Sequence, residues 1–491
     1  MKSWRASSRR RPGAATLFLL GTAYEGLGLA LIVFGLLAWV FGDRPQGFFL
    51  GGALGLALGR LAHRAARPQV ELPRREVFLS IALLWLLVPA LGAVPFWLSG
   101  GMGYLDALFE SFSGFTTTGA TVLKDFGQFG PVLFLWRALI QWVGGMGIVV
   151  LFLVVLPHLG VAGRGAFFAE TTGVEKETRI TPRLRHTAQM VFRVYLLLTL
   201  LAILAYTLAG MPLFEAVANA LSTLSTGGFS PNPSSFAAYP PVAQWLGSLF
   251  MFLAGVNFLL QYRLIFGREG RSLLQDVEFR GYVGIVLATG LPLFLYLYSH
   301  RAYGLEESLR HAFFQVVSIL TTTGFASVDF AQWAVPAQAL LAILMFIGGS
   351  AGSGAGGIKV VRWLVLFGLL RRELTRALHP QAVLPLRLGG RILGEEALRQ
   401  VSVFVLLYTL SFGLGALALA FLEQDFVVAF TASAQAIGNI GPGLGAVGPM
   451  GSYADLHPLS KLVLIFEMWA GRIELIPIFL LLTPDFWRHL K

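Results

Sequence analysis

ALFESFSGFTTTGA (107–120), AVANALSTLSTGGF (216–229), AFFQVVSILTTTGF (312–325) and FTASAQAIGNIGPGL (430–444) are four versions of one pattern. Each is a short apolar segment that breaks at a cluster of Thr, Ser or Asn with Gly. Crossing a bilayer takes about 20 apolar residues, so segments this short read as re-entrant: in as a helix, back as extended chain. Aligned on Gly119, Gly227, Gly324 and Gly441, the copies lie 108, 97 and 117 residues apart. A period of this kind marks an internal repeat and has to be recognised before any fold is assigned.

Longer apolar runs flank every copy. Ten spans are expected, at 15–41, 46–66, 77–99, 131–157, 188–210, 240–266, 281–299, 334–370, 399–421 and 458–483. Continuous runs exclude a membrane barrel, whose strands are about ten residues of alternating polarity. The first run is too long for the apolar core of a signal peptide, about 7–15 residues, so it counts as a span. The expected fold is an all-α polytopic membrane protein. Four pseudo-repeated units of span, re-entrant pore helix and span surround one central pore, and two N-terminal spanning helices precede them. All four units enter from the same side, so the repeat is parallel; inverted repeats would suggest an alternating-access carrier. The boundaries are 1–70 for the N-terminal pair, 71–160 for repeat 1, 161–270 for repeat 2, 271–375 for repeat 3 and 376–491 for repeat 4.

The whole chain agrees. Its 491 residues are 56% hydrophobic and 13% charged, where a soluble domain carries roughly 25% charged residues. Mean hydropathy is +0.70. There is no cysteine, which excludes a disulfide framework, a thiolate metal site and a cysteine nucleophile. A net charge of +11 raises nucleic acid as a partner, but its distribution argues otherwise. Of 37 Lys and Arg, 30 fall in every second connection: 2–11, 60–75, 164–193, 263–280, 359–399, and Arg488 with Lys491. Only Arg44, Lys124, Arg137, Arg301, Arg310 and Lys461 lie on the other side, and Arg472 lies inside a run. The positive-inside rule then places both termini in the cytoplasm. The partner this charge implies is the lipid bilayer, with no nucleic acid.

Irregular backbone at membrane depth persists only when buried in protein or lining a watery path. Four such segments about one axis can aim carbonyl oxygens at a line, and a ring of carbonyls can replace the hydration shell of a monovalent cation. Glycine permits the backbone angles this needs. The neighbouring Thr and Ser pack behind the filter or add hydroxyl oxygens. The negative end of each half-helix dipole favours a cation nearby. No basic residue lies in the four quoted stretches, while Asp106, Glu110, Asp125, Glu215, Glu306, Glu307, Asp329, Glu423, Asp425 and Asp455 lie in or near them. Such an excess would concentrate cations at the mouth.

TTTGA, STGGFS, TTTGFAS and GNIGPGLG, in that order, resemble the four filter segments of the Trk/Ktr/HKT superfamily of potassium transporters. GGSAGSGAGGIKVVR (348–362) resembles its intramembrane loop, and FEMWAGRIELIPIFLLLTPDFWR (466–488) the last helix of its Trk branch. The two extra N-terminal spans also favour that branch. The resemblance implies a K+ site on backbone carbonyls at Thr117, Thr118 and Gly119; Ser225, Thr226 and Gly227; Thr322, Thr323 and Gly324; and Asn439, Ile440 and Gly441. The fourth repeat lacks the Thr-Thr pair. In the superfamily a serine in place of the first-repeat glycine goes with sodium preference, so Gly119 favours potassium. The resemblance further implies an inner-membrane homodimer and a soluble TrkA-like regulatory ring that binds nucleotides. K+ is then the transported ion; no cofactor and no transition metal is expected on this chain.

The 334–370 run is interrupted by Gly348, Gly349, Gly352, Gly354, Gly356 and Gly357. Each costs about 1 kcal/mol in a helix, so this stretch (348–357) is expected to be a broken, intramembrane loop just below the filter, where a gate would sit. It also spells GxGxxG and GxSxG, but no strand precedes it, and a glycine-dense stretch matches such patterns by chance. Arg472 lies mid-span, where an arginine must face protein or water. Two roles stay open for it: an ion pair with Glu474 or Glu467, or a positive charge below the filter that holds the glycine loop by its carbonyls, which the resemblance favours. Lys359, at the loop's end, could join Arg472 in the gate, but its long stem is expected to snorkel to the cytoplasm. Glu25, in the first span, is expected to hydrogen-bond to a neighbouring helix. A polytopic enzyme would need convergent nucleophiles or ligands in the spans, and the eight His show no helical ligand spacing. A proton- or sodium-coupled carrier would need a chain of titratable groups, which the spans lack.

Overall fold

The computed structural model describes residues 13–66, 74–159, 182–267, 270–300 and 303–488. The basic cluster at 2–11 and half of that at 164–193 (Arg164, Lys176 and Arg179), with Arg67, Arg268, Arg301 and Lys491, lie outside the described residues. Helices α1 (Ala14–Phe41) and α2 (Gln46–Ala65) form an antiparallel pair. Glycine lets their backbones touch: a Cβ on Gly28 would sit 2.9 Å from the Gly52 carbonyl oxygen. Glu25 of α1 meets His63 of α2 at 3.2 Å, the interhelical contact its sequence position suggests.

Repeat 1 comprises α3 (Arg74–Gly92), α4 (Val94–Leu98), the pore helix α5 (Tyr104–Phe115) and α6 (Pro131–Leu159). Repeat 2 follows as α7 (Pro182–Leu208), pore helix α8 (Leu213–Leu224), α9 (Pro241–Ala254), α10 (Phe258–Phe266) and the short α11 (Gly270–Gln275). Repeat 3 is α12 (Val277–Ser299), pore helix α13 (Leu305–Leu320), α14 (Val335–Leu344) and α15 (Val360–Leu378). A hairpin of β1 (Arg387–Leu388) and β2 (Arg391–Ile392) leads to repeat 4: α16 (Glu395–Glu423), pore helix α17 (Phe426–Gly438), α18 (Pro458–Arg472), α19 (Ile476–Leu481) and α20 (Pro484–Arg488).

Among the described residues six helices are long and apolar enough to cross a membrane, and a bent pair makes a seventh. The other expected spans depart from straight apolar helices, for identifiable reasons. Glycine-rich α2 is less apolar than the six. The 240–266 run bends by 103° between α9 and α10, where Asn257 caps the new helix with its side-chain oxygen on the Leu259 and Leu260 N–H groups. The 334–370 run breaks between α14 and α15 at the glycines. The 458–483 run breaks at Glu474 and Leu475, both at positive φ (66° and 59°). Three of the four repeats therefore interrupt the helix that follows the pore segment.

The packing is polar inside and apolar outside. Leu200, Leu204 and Leu208 on α7, Leu287, Leu291 and Leu295 on α12, and Leu406, Leu410 and Leu414 on α16 form exposed stripes at four-residue spacing, facing outward. The pore helices instead bury Ser113, Asn219, Ser222, Gln315, Ser318, Ser433 and Gln435. A bilayer accepts the first set, and the second is tolerated only where protein or a watery path surrounds it.

Candidate ion path

Each pore helix ends in the same three-step turn. Within two residues of the helix end one residue is left-handed although it carries a side chain: Thr117 (φ 52°), Thr226 (53°), Thr322 (56°) and Asn439 (55°). A residue without positive φ follows, then a glycine at positive φ: Gly119 (83°), Gly228 (77°), Gly324 (82°) and Gly441 (109°). The hydrogen bonds repeat as well. The N–H groups of Thr118, Gly227, Thr323 and Ile440 donate to the carbonyls of Ser113, Ser222, Ser318 and Gln435 at 2.8, 2.8, 2.9 and 2.9 Å. This corrects the register in repeat 2. The residue matching Gly119 is Gly228, and Gly227 matches Thr118. Ser225 drops out of the equivalent triplet, which is Thr226, Gly227 and Gly228. STGGF offers two glycines; Phe229, aligned with Phe325, is the signal that picks the second.

The four turns close a ring. A Cβ built on Gly119 would strike the carbonyl oxygen of Gly227. On Gly228 it would strike that of Thr323, on Gly324 that of Ile440, and on Gly441 it would lie 2.7 Å from that of Thr118. Repeat 1 thus abuts 2, 2 abuts 3, 3 abuts 4 and 4 abuts 1, each through a carbonyl against a glycine. Only glycine combines the positive φ with so close an approach. The sequence-derived residues Thr117, Thr118, Gly119, Thr226, Gly227, Thr322, Thr323, Gly324, Asn439, Ile440 and Gly441 are brought together here.

Side chains hold the strained turns. The hydroxyls of Thr116 and Thr118 meet at 2.8 Å, as do those of Thr321 and Thr323. In repeat 4, the Asn439 amide donates to Thr118 Oγ1 at 3.1 Å and to the Met468 carbonyl at 2.9 Å. On the outer side Ala237 N–H donates to the Ala326 carbonyl at 3.1 Å, and Tyr453 N–H to that of Thr121 at 2.9 Å.

The glycine segment lies directly under this ring. Gly356 N–H donates to Thr322 Oγ1 at 2.7 Å, and a Cβ on Gly354 would lie 3.2 Å from Thr226 Oγ1. Its backbone groups are satisfied by the neighbouring broken helix: Ser350 N–H to the Gly255 carbonyl at 2.9 Å, Phe258 N–H to that of Gly352 at 3.1 Å. Gly348 N–H closes onto the Ile358 carbonyl at 2.8 Å, and Val360 N–H onto that of Gly349 at 3.2 Å. One Glu278 oxygen, from α12, accepts from Ala351 N–H at 2.8 Å and from Val361 N–H at 3.0 Å. Gly357, at φ 65°, turns the chain back toward α15.

Arg472 is buried beneath. It donates to the Gly354 carbonyl at 3.1 Å and to the Gly144 carbonyl of α6 at 3.4 Å. Neither carboxylate weighed as its partner pairs with it: Glu474 pairs with Arg362 at 2.5 Å, and Glu467 accepts from Ser433 at 2.6 Å. Lys359 does not reach outward as expected. It is 2% exposed and donates to the carbonyls of Ala355 and Gly356, because the chain turns at Gly357 and folds its stem under the loop.

The outer acids divide. Glu110 is fully buried and holds Arg137 at 2.6 Å, so it is structural and does not line the mouth. Asp106 pairs with Lys461 at 2.6 Å and Asp455 with Lys124 at 2.5 Å. Asp125, Asp329 and Asp425 cap helix starts. Glu306 and Glu307 remain exposed in the first turn of α13, and the hydrogen bond from Arg310 holds the Glu306 carboxyl below its ordinary range. That helix starts at Leu305 and carries Arg310 and His311, so the third re-entrant helix is not free of basic residues. The sequence also gave no notice of a recurrent clamp. Gln244 donates to the Phe236 and Tyr239 carbonyls at 3.0 and 3.1 Å, and Gln338 to those of Ala331 and Trp333 at 2.8 and 2.7 Å. Lys461, also fourth in its helix, donates to Ala454 at 2.7 Å.

Four re-entrant segments of one chain, closed into a ring inside a helical membrane protein, define a polytopic transport protein. Residues 45–488 match the family model described as TrkH, cation transport protein, and the chain belongs to that family. It is 38% identical over 479 residues to the Trk system potassium uptake protein TrkH of Salmonella typhimurium, covering 94% of this chain and 98% of that one. The protein of that name from Escherichia coli K12 is 37% identical over 469 residues, covering 94% and 96%. The crystal structure of the potassium transporter TrkH from Vibrio parahaemolyticus matches with a TM-score of 0.88 at 33% identity, over 97% of this chain and 99% of that one. The family transports ions and is not a family of enzymes.

Proposed function

We propose that this protein takes up potassium across the inner membrane through a channel-like path. Four backbone segments strip the ion of water, and the glycine loop with Arg472 gates it from below. The observation that carries this reading is the closed ring, in which the carbonyls of Thr118, Gly227, Thr323 and Ile440 each rest on the glycine of the preceding repeat. Carbonyls fixed by interlocked backbone cannot easily contract round a smaller ion, and carbonyl dipoles suit a monovalent cation. The corrected ion-binding set includes Gly228. The potassium-uptake relatives support the choice of ion.

The gate is the 348–357 loop, pinned by Lys359 and Arg472. An arginine bound to two carbonyls opposes a resident cation by charge and holds the loop in place by hydrogen bonds. Arg472→Ala is expected to raise cation flux; equal or lower flux from folded protein counts against the gate. Both termini lie in the cytoplasm, and the working form is a homodimer attached to a TrkA-like ring of nucleotide-binding subunits. Support for the ring comes from the relatives' names, which make them components of a Trk system.

Rubidium uptake into proteoliposomes, with potassium and sodium as competitors, is the decisive measurement. Wild type should take up rubidium down its gradient and be blocked far better by potassium than by sodium. Gly119→Ser places a Cβ at φ 83° against the Gly227 carbonyl and should erode that preference. A wild type without rubidium uptake, or blocked equally by both ions, would sink the reading.

A further inference from the structure

The four corners of the ring are not braced alike. In repeats 1 and 3 the middle residue of the turn is Thr118 or Thr323, whose hydroxyl bridges to Thr116 or Thr321 at 2.8 Å. The matching residue in repeat 2, Gly227, has no side chain. Its place is taken from another repeat. Gln141 of α6 is fully buried; its amide nitrogen donates to the Gly227 carbonyl at 2.6 Å and its amide oxygen accepts from Phe229 N–H at 3.1 Å. The two bonds fix the amide orientation, since a carbonyl must accept and an N–H must donate. A Cβ on Gly227 would lie 2.8 Å from that amide nitrogen and closer still to the amide carbon and oxygen, so Gln141 occupies the space a side chain at 227 would need.

Gln141 is also out of pattern among the repeats. It is the eleventh residue counted from the start of α6 at Pro131. The eleventh residues counted from Pro241, Val335 and Pro458 are Met251, Met345 and Met468, all fully buried. The position is polar only ahead of repeat 2, where the matching residue, Gly227, has no side chain; in repeat 4 the side chain of Ile440 fills that place.

We infer that Gln141 is a specificity-determining residue: its amide clips the second-repeat filter strand on both sides of Gly228 and sets how strongly, and from where, the Gly227 carbonyl meets the ion. This rests on the carbonyl-ring reading above. A clipped carbonyl cannot follow a smaller ion inward, and one that already accepts a hydrogen bond presents a weaker field. Whether selectivity arises from cavity size or from field strength, both effects favour potassium over sodium.

The test uses the full-length protein in proteoliposomes, reading rubidium uptake against potassium and sodium competition. Gln141→Leu keeps the volume and removes the clip; the potassium-over-sodium preference should fall about three- to tenfold, the worth of one net hydrogen bond, while rubidium uptake persists. Gly227→Thr alone should be impaired by collision with Gln141. Gln141→Ala with Gly227→Thr should recover the preference, because the new hydroxyl meets Ser225 as Thr118 meets Thr116. A Gln141→Leu protein as selective as wild type overturns the inference, and so does a double variant no more selective than Gln141→Ala. Failure of wild type itself to prefer potassium would instead strike the carbonyl ring, which separates the two.

Discussion

Thr117, Thr226 and Thr322 hold a backbone conformation that β-branched residues avoid, at a cost of about 1–3 kcal/mol each. Asn439 takes the same turn more easily, since asparagine tolerates the left-handed region. That is why GNIG can replace TTTG in the fourth repeat without altering the path. Spacing alone places four turns; the one-residue slip in repeat 2 comes from a doubled glycine whose roles only backbone angles separate. Arg137 looked like an outer-loop charge, yet it is buried with Glu110 at 2.6 Å and lies with its guanidinium 3.6 Å from the Phe229 ring centroid. Removing one partner of such a pair strands a buried charge. Arg137→Met should cost about 3–5 kcal/mol, and Arg137→Met with Glu110→Gln less than the sum of the single changes, read as apparent melting in detergent.

At the scale of elements, the interrupted helices matter most. The 103° bend between α9 and α10 frees the carbonyls of Ala254 and Gly255, and the glycine loop uses both. Composition announced the loop, because six glycines cannot sustain a helix; it could not announce the bend, since 240–266 reads as an unbroken apolar run. Glu278, near the start of α12, ties both ends of the loop through one oxygen. Glu278→Ala should loosen the loop and raise rubidium flux with the potassium preference intact, whereas Glu278→Gln, which still offers an oxygen, should stay near wild type. Loss of selectivity in Glu278→Ala would place this carboxylate in the filter's support and not in the loop's.

For the whole molecule, the fold was largely legible, because continuous apolar runs and a parallel fourfold repeat leave few arrangements. Pairings across repeats were not, since 3.6-residue periodicity says which face is apolar but not which neighbour it meets. Orientation rests on the charge asymmetry, and the absence of cysteine makes it measurable. Single cysteines at Val383, which is 91% exposed, and at Asp455 should label with a membrane-impermeant maleimide from opposite sides, Val383→Cys only from the cytoplasm. Labelling of both from one side would refute the topology. The ring's closure within one polypeptide has a further consequence. A pore assembled from four identical subunits changes every corner with each codon; here one codon moves one corner, so under the proposed carbonyl-ring reading ion preference drifts in quarter steps, each open to compensation from a different gene segment.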